Sequence, residues 1–218
     1  MAPMSYVAER RLEEKEQRRT DIVDAAEACY REGDWERVTM DQVARRARIS
    51  RALLYVYFKD KVDLHFAIAE RALQELRRRF MAAMSDQDNG LEQVQAIGRA
   101  YVQYATDLPH YFNACSRFEA HQPEGLCGHS NESACLSAGD AVHSLVAKAI
   151  HRGMDDGSIS PSVGDPMLTA VVLWGFIHGI IQLGKTKAHV MARDGFNIDN
   201  LIDQALRLAG RALALGPA

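Results

Sequence analysis

Apolar positions along this chain recur at helical spacing almost from end to end, with no repeated Val/Ile/Thr alternation that would predict sheet. Ile22, Ala26, Cys29 and Tyr30 fall at i, i+4, i+7 and i+8, which predicts a first helix over 16–32 closed by Gly33. Thr39 is a good N-cap, and Gln42 three residues later completes a capping box. Met40, Val43, Ala44 and Ala47 then form one apolar face, with Ala44 small enough for a second helix to cross closely. Arg48-Ile49 is too short for more than a turn, and Ser50 can cap the next helix. There Leu54 faces the core with Ile49 and Phe58, leaving Arg51, Leu53, Tyr55 and Tyr57 on or near the outside. Asp60 can cap a long helix from Lys61.

A polar break at 84–90 ends that long helix and opens a second domain. Helices are predicted over 91–107, from Pro109 through Phe118, over 132–156, over 166–184 and over 198–214, with a loop at 119–131. The last carries two stripes, Leu201/Ala205/Leu208/Ala212/Leu215 and Ile202/Leu206/Ala209/Leu213, and two stripes need partners on two sides. Between Asp165 and Lys185 lies a run without formal charge, long enough for a membrane helix. Pro166, Thr169, His178 and Gln182 dilute it and no second span exists, so a subunit interface, which needs the same surface, is the expectation and a membrane is not.

Charge separates the two halves. Seven basic residues (Arg37, Arg45, Arg46, Arg48, Arg51, Lys59, Lys61) stand against Asp41 and Asp60 in the short stretch 37–61, although the whole chain is net −3 with a pI near 6.2. One basic footprint on an acidic body excludes a coat-like nucleic-acid binder. Outward tyrosines flanked by arginines suit phosphate, because phenol and guanidinium both donate to its oxygens. A helix-turn-helix with a basic rim places a helix in the DNA major groove. Residues 1–20 are charged throughout and the four cysteines form no compact framework, which predicts a cytoplasmic chain. Asn131-Glu132-Ser133 matches a glycosylation sequon, by chance in such a compartment.

Residues 16–64 resemble the N-terminal domain of TetR-type (tetracycline-repressor-like) transcriptional regulators. The resemblance is carried by Thr39, Val43-Ala44, Ala47-Arg48-Ile49-Ser50, Leu54-Tyr55-Val56-Tyr57-Phe58 and Lys61-Val62-Asp63-Leu64. It implies an all-α protein: an arm at 1–15, a DNA-binding domain at 16–60, a connecting helix at 61–84, and an effector-binding and dimerisation domain at 90–218. It further implies that Thr39, Arg48, Ser50, Arg51, Leu53, Tyr55, Tyr57 and Lys61 serve DNA binding, with Tyr57 and Lys61 mainly on phosphates. Two positions depart from the family's run. Arg48 stands where glycine is usual, so the turn either avoids positive φ or is strained by about 1 kcal/mol. Leu53 replaces a small or hydroxyl residue, pointing to an apolar contact such as a thymine methyl.

The resemblance also implies a homodimer through helices 166–184 and 198–214, reading a palindromic double-stranded operator and released by a small-molecule effector. The expected effector site uses Tyr101, Tyr104, Phe112, Phe118 and Trp174 as walls and His143 and His178 as polar contacts; no cofactor or metal is implied. His110, Cys115, His121, Cys127, His129 and Cys135 crowd one stretch, leaving metal or thiol sensing open beside a loop near the pocket, though the spacing matches no standard site. No phosphate-binding glycine loop, His-Glu-x-x-His, Gly-x-Ser-x-Gly or Cys-x-x-Cys is present, so a small helical enzyme is the weaker alternative. A non-specific architectural DNA binder is a third.

Overall fold

The computed structural model describes residues 6–119 and 130–214. Among the described residues there are nine α-helices, two short 3-10 turns and no strand. Helix α1 (Tyr6–Glu32) buries Ile22, Val23, Ala25, Ala26 and Tyr30 in its second half. Residues 6–15, expected as a separate arm, are the exposed first turns of the same helix, with Arg10 paired to Glu14 at 3.2 Å. Asp34 then caps the 3-10 turn Trp35–Arg37 by accepting the Glu36 N–H.

Helix α2 (Met40–Arg46) opens on the expected reciprocal cap: Thr39 Oγ1 accepts from Gln42 N at 3.3 Å and Gln42 Oε1 accepts from Thr39 N at 2.8 Å. It ends because Arg48 takes φ +56°, which turns the chain and lets Ile49 N donate to Ala44 O. Of the two outcomes open for Arg48, the protein adopts the strained one. Helix α3 (Arg51–Tyr57) starts on Ser50, whose Oγ accepts from Leu53 N at 3.1 Å. Leu54 and Phe58 are fully buried, and Ile49 is half-buried. Helix α4 (Lys61–Met84) begins where Asp63 N donates to Asp60 Oδ1 at 2.8 Å.

The chain divides into two compact units: residues to Ala72 with Asn113–Leu136, and Leu73–Phe112 with Ser137 onward. The division does not follow the polar break at 84–90, which is a capped helix–helix turn inside the second unit. Asn89 accepts the Glu92 N–H there, starting α5 (Gly90–Asp107). Helices α4, α6 (Pro109–Glu119) and α7 (Ser130–Asp156) contribute residues to both units.

In the first unit, Trp35 is buried between Tyr30 and His65, each ring 5.4 Å away, and Arg117 pairs with Glu36. In the second, a Cβ on Gly90 would lie 2.1 Å from the Gly153 backbone, so glycine is what lets α5 meet α7. The α5 start is also held by Asp156 and Ser158, which accept from Gly90 N and Leu91 N. Hydrogen bonds donated to it by Ser158, first from the side chain, and by Gly90 N keep the Asp156 carboxyl below the ordinary carboxylate range.

Helix α8 (Pro166–Arg193) runs beyond the expected end at 184, with a kink at Lys187, and stops at Gly195, whose φ of +79° lets Phe196 N donate to Met191 O. Helix α9 (Ile198–Leu213) packs on α5 and α8. Of its two stripes, one has Ile202, Leu206 and Ala209 half-buried and Leu213 buried; the other has Leu201 half-buried, Ala205 buried, Leu208 49% exposed and Ala212 exposed, while Leu215 lies outside the described residues.

Candidate functional site

Two short helices joined by the Ala47–Ser50 turn present the polar face of α3 outward, because the single buried side chain of that helix, Leu54, anchors the opposite face. Arg51, Leu53 and Tyr55 are exposed and Tyr57 is half-buried. Val56, on the same helix, is 75% exposed and was not singled out from the sequence. Thr39, Arg48 and Ser50 are exposed too, but Thr39 and Ser50 commit their hydroxyl oxygens to helix caps.

The basic side chains are not idle. Arg51 lies across its own helix, 3.4 Å from Asp41 and 3.4 Å from the Tyr55 hydroxyl, with the guanidinium 5.5 Å from the Tyr55 ring centre. Its pKa is raised, first by the Tyr55 contact and then by Asp41. Arg46 makes a bidentate pair with Glu32 at 2.6 and 2.7 Å. Lys61 donates to the Glu36 carbonyl at 3.0 Å and sits 5.2 Å from the Trp35 ring centre. Burial, helped by the nearby Arg117 charge, pushes the Lys61 ammonium below its ordinary pKa. Asp41, Glu32 and Glu36 as restraints on these cations have no sequence signature, since the Arg46 and Lys61 partners lie far along the chain.

A second cluster forms in the other unit. The Tyr101 hydroxyl lies 2.7 Å from His178 Nδ1, and Gln182 Nε2 lies 3.4 Å from His178 Nε2. Phe112 stacks on His178 with centres 4.9 Å apart, and Trp174 bridges to His143 at 5.4 Å and to His178 at 5.6 Å. Tyr104 stacks on Tyr101 at 6.4 Å and is fully buried. Burial holds both imidazoles below their ordinary pKa; Lys185 adds to this at His178, whereas Asp140 opposes it at His143.

The six expected residues Tyr101, Tyr104, Phe112, His143, Trp174 and His178 therefore belong to one unit. Phe118 does not join them: it falls in the first unit, with its ring edge-on to Phe66 at 5.7 Å. Phe80, Gln182 and Lys185 are additions, Phe80 meeting Tyr101 at 6.1 Å and the Lys185 ammonium standing 3.9 Å over Phe112. The last two were findable, lying four and seven residues beyond His178 on the same helical face.

Of the His/Cys-rich stretch, His121, Cys127 and His129 lie outside the described residues. Cys115 and Cys135 are buried, and His110 lies against the Tyr111 ring. Among the described residues, no three His, Cys, Asp or Glu side chains converge as a metal site would require.

A capped helix-turn-helix and a separate helical unit holding a mixed aromatic and imidazole cluster are the parts expected of a DNA-binding regulator. The profile described as "Bacterial regulatory proteins, tetR family" matches residues 22–68, and that described as "Tetracyclin repressor-like, C-terminal domain" matches residues 94–208. The chain belongs to the tetR family of bacterial transcriptional regulators. It is similar to the HTH-type transcriptional regulator Rv0472c of Mycobacterium tuberculosis, 29% identical over 210 residues covering 91% of this chain and 78% of that one. Its fold is that of a Rhodococcus sp. RHA1 protein of unknown function (TM-score 0.72, 24% identity, 91% and 95% covered). It is also that of SmeT, repressor of the Stenotrophomonas maltophilia multidrug efflux pump SmeDEF (TM-score 0.65, 19% identity, 90% of each chain covered).

Proposed function

We propose that this regulator is a cytoplasmic homodimeric repressor that reads a palindromic operator with α3 and leaves it when a small molecule binds the second unit. The exposed face of α3, with its arginine and tyrosines set over one buried leucine, carries the reading. Thr39, Ser50, Arg48, Arg51, Leu53, Tyr55, Tyr57 and Lys61 form the contact set. Arg51 and Leu53 face base edges, and the remainder face sugar and phosphate. Thr39 and Ser50 act there through the helix N-termini they cap. Arg51 exchanges Asp41 and Tyr55 for DNA at little cost, since both contacts are long and solvent-exposed.

Two copies joined through α8 and α9 hold two α3 helices one turn of duplex apart, about 34–36 Å. Support comes from α8, where Leu168 is 64%, Val172 61% and Phe176 40% exposed at four-residue spacing. Helix α8 is also long and apolar enough to cross a bilayer, and a family of DNA-binding regulators favours the subunit interface.

The effector meets Tyr101, Phe112, Trp174, His143 and His178, a mainly apolar wall with neutral imidazoles as hydrogen-bonding points. SmeT has been solved with triclosan, a precedent within the fold for a small-molecule ligand. The test is selection of duplexes by the purified protein, followed by Arg51→Ala. The variant is expected to lose discrimination between operator variants by about 1–3 kcal/mol. Undiminished discrimination removes α3 from base readout.

A further inference from the structure

Asn131, in the first turn of α7, is a buried polar residue with no role in the contacts proposed above. Its carboxamide is bonded at both ends: Oδ1 accepts from Arg19 Nη2 at 2.7 Å, and Nδ2 donates to Asp63 Oδ1 at 2.8 Å. Burial and these bonds also dispose of the sequon as a modification site. Asp63 is itself buried, and its second oxygen accepts the Lys59 backbone N–H at 3.1 Å. Lys59 and Asp60 form the corner between α3 and α4, and Asp60 in turn accepts the Asp63 N–H. Arg19 is 3.6 Å from Glu70, and its guanidinium lies 5.7 Å from the ring centre of Phe58, the residue that closes α3.

A continuous polar chain thus runs from α1 through α7 to the corner that presents the recognition helix. Buried polar groups hold position because losing a hydrogen bond there costs more than losing one in water. An amide is the side chain that fits: it accepts from the arginine and donates to the carboxylate at once. Aspartate could accept but not donate, and leucine could do neither.

We propose that Asn131 is a positioning residue for DNA binding, fixing the α3–α4 corner through Asp63. The assignment rests on α3 being the helix that meets DNA.

The test measures affinity for a selected operator duplex by fluorescence anisotropy, with thermal unfolding alongside, on full-length variants. Asn131→Asp sets two carboxylates against each other, and Asn131→Leu removes both bonds; each is expected to weaken operator binding about tenfold, the loss of roughly one charged hydrogen bond. The exchange Asp63→Asn/Asn131→Asp restores a donor–acceptor pair and leaves the carboxylate facing Arg19. It is expected to return affinity to within about threefold of the parent. A folded Asn131→Leu protein that binds like the parent overturns the role. So does an exchange variant that stays as weak as Asn131→Leu, a comparison that stands even if Asn131→Asp does not fold. Arg51→Ala separates the two failures: if it still costs discrimination while the Asn131 variants bind normally, only the positioning role falls.

Discussion

Helix α3 is seven residues long and buries one of them, Leu54, whereas α8 is twenty-eight residues long and buries Ala170, Ile177, Ile181 and Gly184 while leaving an apolar stripe in water. The surfaces they expose differ. On α3 the outward side mixes Arg51, Tyr55 and the half-buried Tyr57 with Leu53 and Val56, the valine 75% exposed. On α8 the outward residues are leucine, valine and phenylalanine, whose exposure costs about 25 cal/mol per Å² and is relieved when a second apolar surface covers them. Under the proposed function the first surface trades water for phosphate and bases, and the second trades it for another copy of the chain.

The contrast can be broken most severely at α8. Leu168→Glu/Val172→Glu should give a monomer by sedimentation and weaken operator binding by about 100-fold or more, because a single α3 contributes only half the contacts. An unaltered dimer would move the interface elsewhere. Leu54→Ala strikes the one anchor of α3 and should cost about 2–5 kcal/mol, read as a lower unfolding midpoint. Lys61→Ala should weaken binding to all duplexes and flatten the dependence of log K on log salt by about one unit. Its present contacts with the Glu36 carbonyl and Trp35 sharpen that test: an unchanged slope means the ammonium stays where it is when DNA binds. The smallest effect concerns Arg48, at φ +56°. Arg48→Gly should raise stability by about 0.5 kcal/mol, the relief of left-handed strain being partly offset by the freer unfolded chain.

The helix-turn-helix was legible because its signals are local. A cap, a glutamine three residues on and an apolar triplet are contained within one turn or two, and Thr39, Gln42, Ser50 and Leu54 occupy the places their chemistry indicated. The aromatic and imidazole cluster was legible in part. Its aromatic residues stand out by type, yet Phe118 shares that type and packs on Phe66 in the other unit. A helical residue advertises that it is apolar without naming the neighbour that covers it. The grouping of 113–136 with the DNA-binding helices was hidden for the same reason, since Arg117 and Asn131 gain their meaning from Glu36 and Asp63, far away in the chain.

Backbone hydrogen bonding and short-range periodicity act within a few residues, so helix identity, capping, the turn and the basic rim are written in the order of amino acids alone. Which cation is held by which carboxylate, which aromatic ring meets which imidazole, and which side chains a buried asparagine bonds were settled when distant segments came together. Those interactions depend on separations of a few ångströms between residues dozens of positions apart, and it is the packed chain that sets such separations.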